Sequence, residues 1–403
     1  MRVSLYLLFP LFALCVVSRA DAQWVRLSGP GGAYAFTVNG QNIYAGSFGQ
    51  GVFVSTDEGT DWTAINSGLT STDVFALASS GTYLYAGTFL GGMFVSSNSG
   101  LTWAPSDSGL LMSSVISLTT YGSDILAGTY ANGLFISADS GAIWTPTRLQ
   151  NLSVYAFAAV GSGMCAGTYG GGVVLSSIGD TAWSVMDSGL TAHNVFALAS
   201  VGSAVFAGTL GGGMFRSIDA GATWTADDSG LTVSSINALI AVGTNVFAAT
   251  DVGIFRSTDM GKYWAPVDSL LPVTPVYAFA ASGSNLFAGT NGYGIWRRPL
   301  AQVVITDVAA ASGGIPGAFR LEQNYPNPFN PSTTIRYSIP RRSRVMLTVF
   351  NILGQQVTDL VSAQQVPGFH EIRFDASGLA SGVYFYRLTA EGYVSTRKLV
   401  VLR

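Results

Sequence analysis

Cysteine, histidine and charge are all scarce in this 403-residue sequence, which has two cysteines, two histidines and only 10% charged residues. Cys15 falls in an N-terminal leader and Cys165 stands alone after it, so the processed chain can form no intramolecular disulfide. Cys165 takes a position filled by Tyr85, Leu126 and Phe206 in neighbouring repeats, and reads as a small buried apolar residue. His193 is the one histidine of residues 23–299. One His and one Cys at distant positions make no zinc set, and neither a metal nor a cofactor is expected. Lys262 is the one lysine of the same stretch, which carries seven basic and fifteen acidic residues (7 − 15 = −8). So acidic a body is no nucleic-acid binder. Residues 300–403 carry ten basic and six acidic residues (10 − 6 = +4). The glycine pairs connect strands and lead into no helix, which argues against a phosphate loop. After the leader no apolar run is long enough for a transmembrane span.

Apolar and turn-forming residues are abundant. Hydrophobic residues make up 48% and aromatics 12%, which argues against disorder, and 49 glycines favour short strands joined by tight turns. Met1–Ala22 has a basic start at Arg2, an apolar run from Val3 to Val17 and a small-x-small site at Ala20-Asp21-Ala22. It reads as a secretory signal peptide, leaving Gln23 as the mature N-terminus.

The pattern S-x-D-x-G-x-x-W organises residues 23–299. It stands at Ser55–Trp62, Ser96–Trp103 (with Asn98 at the acid position), Ser137–Trp144, Ser217–Trp224 and Ser257–Trp264, with a worn copy at Ser176–Trp183. Its tryptophans Trp62, Trp103, Trp144, Trp183, Trp224 and Trp264 recur every 39 to 41 residues. Three strand-like segments precede each copy and one follows, and four strands per period near 40 predict a propeller blade. First strands begin at Ala33, Val74, Val115, Val154, Val195, Ile236 and Val276, giving seven blades. The last unit lacks a fourth strand, which Gln23–Gly29 supplies, with Trp24 in place of a box tryptophan. Such closure hides sheet edges that would otherwise aggregate. In the repeat itself a glycine such as Gly59 provides the turn, while Asp57, Asp139, Asp219 and Asp259 accept hydrogen bonds from turn amides. Repetition makes these carboxylates structural rather than catalytic.

This pattern resembles the Asp-box, or bacterial neuraminidase repeat, of sialidases, sortilin-type receptors, xyloglucanases and photosystem assembly-factor propellers. The resemblance implies that the box lies on the turn between a blade's third and fourth strands, away from the ligand face. Function is then expected where the loops between strands two and three meet the inter-blade loops. The former begin at Phe48, Phe89, Tyr130, Tyr169, Leu210, Asp251 and Asn291; the latter add Asp73, Arg148, Gln150, Asn151, His193 and Asn194. The arc Phe48, Phe89, Tyr130 and Tyr169, with Asp73, Asp251, Asn291 and His193 nearby, suits stacking on a glycan or gripping a protein segment. A sialidase would need an arginine triad and a Tyr/Glu nucleophile pair, whereas Glu58 is the one glutamate of residues 23–299. Asp73 with Asp251 is a loose candidate for the paired carboxylates of a glycoside hydrolase. The leading expectation is a non-enzymatic binding module; an extracellular glycoside hydrolase and a structural or assembly factor are the alternatives.

Leu300–Ala318 is a small-residue connector, and after it six or seven short alternating strands read as a small β-sandwich. The segment carries Tyr325-Pro326-Asn327-Pro328-Phe329-Asn330, Val349-Phe350-Asn351-Ile352-Leu353-Gly354, Ser381-Gly382-Val383-Tyr384-Phe385-Tyr386 and a basic finish from Lys398 to Arg403. From Phe319 to Arg403 it resembles the type A C-terminal sorting domain of the type IX secretion system of Bacteroidetes. The resemblance implies recognition by the outer-membrane machinery and removal of the domain within the connector. Its cargo is then released or anchored to surface lipopolysaccharide, at the outer surface of a Gram-negative cell. The expected fold is thus all-β: a seven-bladed β-propeller (23–299) closed by its N-terminal strand, a linker (300–318) and an Ig-like β-sandwich (319–403).

Overall fold

The computed structural model describes residues 24–110, 114–177, 181–267, 271, 274–303, 318–324 and 327–402. The leader, most of the connector, Tyr325 and Pro326 lie outside them. The chain divides into two units, residues 1–304 and 305–403.

The first unit holds seven four-stranded antiparallel sheets. Blade two is typical: Val74–Ser80, Tyr83–Thr88, Gly92–Ser96 and Ala104–Pro105 follow one another as neighbours. Blade seven is assembled from both ends of the unit. Val276–Ser282, Asn285–Thr290 and Ile295–Pro299 are joined by Val25–Arg26, which pairs through Val25 with Arg297 and through Arg26 with Trp296. First strands touch their successors all the way round, and that of blade seven touches that of blade one (Ala35–Asn39). The sheets therefore form a closed ring with the first strands innermost.

Close approach between blades explains the Ala-Gly-Thr element that five of the seven second strands carry. A Cβ on Gly87 would lie 2.6 Å from the Val115 side chain of the next blade, so the missing methyl lets a β-branched residue fill the space. The threonine that follows closes the next hairpin, as where Thr88 Oγ1 donates to the Gly92 carbonyl at 2.9 Å. Tryptophans lock the outer seams. Trp144 donates its backbone N–H to Ser108 O and its indole N–H to Ser106 O in the preceding blade, at 2.8 and 2.7 Å. Trp103, Trp224 and Trp264 reach back in the same way, to Ile65, Met186 and Asp227. Trp24 does so from the N-terminal strand, donating to Val267 O at 3.0 Å. Trp62 instead donates to Gly59 O of its own turn.

Leu300–Val303, which sequence places in the connector, forms a helical turn that belongs to the first unit. Val303 is buried, Leu300 packs on the blade-seven core, and the Arg256 guanidinium holds the Val303 carbonyl. Buried apolar surface and a charged hydrogen bond thus extend the propeller four residues beyond its expected end.

The second unit has two sheets, one of Arg320–Leu321, Ser332–Ile339 and Gly368–Asp375, the other of Gln356–Gln365, Ser343–Phe350, Gly382–Ala390 and Tyr393–Val401. Both contribute to one core around Ile335, Leu347, Tyr386 and Leu399. The two-layer arrangement matches the sandwich expected from strand spacing. Among the described residues no helix is long and apolar enough to cross a membrane.

Candidate functional site

Six of the seven first strands carry a local irregularity that sets up the channel mouth. In blade two Val74 pairs with Thr88 and Ala76 with Gly87, leaving Phe75 as the extra residue of a β-bulge. The same shift occurs at Ile116, Tyr155, Phe196, Asn237 and Tyr277. Tyr34 takes the equivalent place just ahead of the first strand of blade one. All seven line a central channel of about 570 Å³. The third residue of each bulge is small, as at Ala76, Ser117 and Ala197, which keeps the channel open beneath the mouth.

Five of these seven positions are aromatic, and their rings pack into two arcs. Tyr34 stacks on Tyr277 with centroids 5.0 Å apart and meets Phe75 at 5.1 Å. Tyr155 stacks on Phe196 at 4.2 Å. Ile116 and Asn237 interrupt the collar. Burial raises the pKa of Tyr34, Tyr155 and Tyr277, most of all through desolvation, and neighbouring tyrosines or Asp251 add to it. These phenols therefore stay protonated and available as donors at neutral pH.

The aromatics expected from sequence form a second, outer tier. Phe48 lies 6.3 Å from Tyr34 and 6.0 Å from Phe75, Phe89 lies 5.7 Å from Phe75, and Tyr169 meets Phe196 edge-on at 6.3 Å. Tyr130 is near enough to Tyr155 to perturb its titration. Phe48, Tyr130 and Tyr169 are about half exposed. The inner tier was missed because apolar residues of a strand read as core. Its signal was nonetheless present, as an aromatic one place after the first residue of five first strands.

The polar candidates separate. Asp251 lines the channel and accepts a hydrogen bond from Asn237 Nδ2 at 2.9 Å. Asp73 does not line it; its carboxylate accepts from the Gly49 N–H at 2.8 Å, tying the blade-one loop to the next blade. His193 Nε2 lies 3.3 Å from Asp187 Oδ2, and its carbonyl accepts from Gly170 and Gly172 N–H. Asn291 is an exposed loop residue outside the channel lining.

At the repeated turns the serine and the acid close a small network. Ser55 Oγ donates to Asp57 Oδ1 at 2.8 Å and accepts from Gly59 N–H, while Asp57 accepts from Asp61 N–H at 3.0 Å. Asp139, Asp219 and Asp259 repeat the arrangement with Ile143, Thr223 and Tyr263 as amide donors. In blade two Asn98 stands in for the acid. These donors lower the pKa of Asp57, mainly through the Asp61 amide, and of Asp139, mainly through the Ile143 amide. Asp219 falls to about 2 under Ser217 and Thr223. Cys165 is buried, and desolvation pushes its thiol up to about 12, so it is no nucleophile at neutral pH.

In the second unit the proline-rich segment covers a sheet edge. Asn327 uses its amide as a strand would, donating Nδ2 to Lys398 O at 3.0 Å and accepting from Val400 N–H at 2.7 Å. Phe329 continues the pairing, donating its N–H to Val400 O and accepting from Leu402 N–H, with its ring buried. Pro328 sits between these two residues and offers no N–H. Tyr386 is buried, donates its hydroxyl to Glu322 O and accepts from Asn324 N–H. Tyr384 donates to Ala380 O across the turn before Gly382, and the Lys398 side chain is exposed.

Residues 323–402 match the family model described as a secretion system C-terminal sorting domain. This unit is a type IX sorting tail. It marks the chain for export to the cell surface or beyond, as in Bacteroidetes. No curated protein matches the chain. Solved structures resemble its fold. YCF48 bound to D1 peptide is 16% identical with a TM-score of 0.56, covering 69% of this chain and 96% of that one. PorZ, a bacterial surface component of the type IX secretion system of Porphyromonas gingivalis, is 15% identical with a TM-score of 0.55, covering 93% and 60%. The GH74 xyloglucanase of Xanthomonas campestris is 17% identical with a TM-score of 0.51, covering 92% and 66%. At these identities the likeness is one of fold, that of a β-propeller.

Proposed function

We propose that this is an exported, non-enzymatic propeller that binds a glycan or protein at the collared end of its central channel, with its repeated turns acting as Asp-boxes that hold the blades. The observation that carries the reading is the two-tier aromatic collar around a channel of about 570 Å³. Ring faces gathered at a concave mouth give a ligand apolar area and stacking partners at little entropic cost. Glycoside hydrolysis would need two carboxylates flanking one bond. Among the described residues Asp251 is the one carboxylate of the channel lining, and Asp73 is engaged with Gly49, which favours binding over hydrolysis. YCF48 holding the D1 peptide agrees with a binding role for this shape. Processing in the connector, followed by release or a lipopolysaccharide anchor, completes the proposal.

The test is the full mature chain on glycan and peptide arrays, beside a Phe48→Ala/Tyr169→Ala variant. These rings are half exposed, so their removal leaves the core intact. Loss of two stacking partners is expected to weaken binding about tenfold or more. Equal binding by the variant, or release of reducing sugar from a bound glycan, would refute the proposal.

A further inference from the structure

The collar is broken at one place by charge. Where blade six would present a ring it presents Asn237, whose amide donates to Asp251 Oδ1 and to Val276 O. Asp251 is solvent-exposed, is the one charged residue of the channel lining among the described residues, and lies close enough to Tyr277 to raise its pKa. None of the propeller's basic side chains lines the channel. Several are committed elsewhere: Arg216 pairs with Asp227, Arg297 donates to Glu58 O, and Arg298 donates to Val267 O. The carboxylate therefore has an amide that orients it, a stacked pair of tyrosines beside it and no cation of its own in the lining.

We propose that the mouth is a cation subsite for a single Arg or Lys side chain of an extended peptide, with Asp251 as counter-charge and Tyr277 as a ring face. The inference rests on the reading of this protein as a binding propeller. Three features favour it. A net charge of −8 over residues 23–299 attracts a basic partner. A carboxylate beside aromatic faces offers a cation both ion pairing and cation–π attraction. The polar groups are few for a sugar, which brings several hydroxyls per ring: beyond the tyrosines the described lining offers the side chains of Asn237, Asp251 and Thr119, while Ser117 gives its hydroxyl to Val154 O. Hydroxyls left without partners there would oppose binding.

The experiment uses capped hexapeptides with Arg or Lys at one position, each matched to its citrulline or norleucine counterpart, and the full mature chain. The basic member of each pair is expected to bind about tenfold more tightly. Asp251→Asn should erase that difference by weakening the basic member about tenfold. The substitution is isosteric and exposed, and an unchanged melting temperature verifies the fold. If peptides bind in a way that needs Phe48 and Tyr169 but show no basic preference, or a preference that survives Asp251→Asn, the cation subsite falls and the binding reading stands. Asp251-dependent capture of glucosamine oligomers in place of peptides would overturn the peptide assignment. Failure of every probe to bind would overturn both.

Discussion

Replacing Gly109 by alanine should open the seam between blades two and three. Gly109 has φ +93°, and a Cβ there would lie 2.1 Å from the Trp144 carbonyl oxygen. Ordinary contact needs over 3 Å, so backbone must move by about 1 Å against close packing. The groups in its path are those that lock the seam, the Trp144 N–H on Ser108 O and the indole N–H on Ser106 O. A left-handed alanine costs about 1 kcal/mol. Weakening two hydrogen bonds adds about 1–2 kcal/mol. Overpacking adds about 1–3 kcal/mol. The total is about 4 kcal/mol, a fall of about 8 °C in Tm for a unit of this size. Gly122→Ala is the control: φ is +62°, yet nothing lies within 4 Å of its Cβ, so only the conformational term of about 1 kcal/mol applies. Thermal unfolding followed by near-ultraviolet circular dichroism reads the tryptophan seams directly. Equal losses in the two variants would refute the seam argument, because both share the strain and only one has the clash.

Acid should expose the role of the turn carboxylates. Folding lowers the pKa of Asp57, Asp139 and Asp219, the last to about 2, so their stabilisation is complete above the unfolded value near 4. It is lost as pH falls through the lowered folded values, between about 4 and 2 for Asp219. Asp219→Asn should therefore lower Tm at pH 6 and flatten its decline across that window; parallel Tm–pH curves would contradict this. Deleting Phe319–Arg403 should leave the propeller inside the outer membrane, as read by fractionation and surface proteolysis, and normal surface delivery would contradict the sorting role.

The fold was legible because it is periodic. Tryptophans spaced by 39 to 41 residues, a glycine in the second strand and a β-branched start to the first strand are each repeated and each has one mechanical cause. The missing fourth strand of the last unit was legible in Trp24, which reaches the same kind of carbonyl as the box tryptophans. The site was legible only in part. Phe48, Phe89 and Tyr169 could be proposed from sequence because loops advertise exposed rings, whereas Phe75, Tyr155, Phe196 and Tyr277 sit in strands and Tyr34 just ahead of one. For the four in strands, the bulge, a one-residue slip in pairing, turns the ring towards the mouth. Asp73 and Asp251 look alike in sequence, and the difference is a partner that periodicity cannot reveal. One carboxylate caps a neighbouring loop while the other lines the channel. The end of the propeller was missed for a similar reason, since Leu300–Val303 has the composition of a linker but buries Val303.

Blade seven also has a mechanical meaning. The chain enters the ring on Val25–Arg26 and leaves it on Ile295–Pro299, two antiparallel neighbours of one sheet. A load arriving through the tail meets the anchored turn Leu300–Val303 first and then Ile295–Pro299, where the component along the strand loads the hydrogen bonds to both adjacent strands in shear. Arg298 and Trp24, one from each side of that joint, both hold the Val267 carbonyl of blade six. A ring tethered by its last strand would therefore resist traction as a riveted lap joint does, with the load shared along the overlap before any single bond must fail.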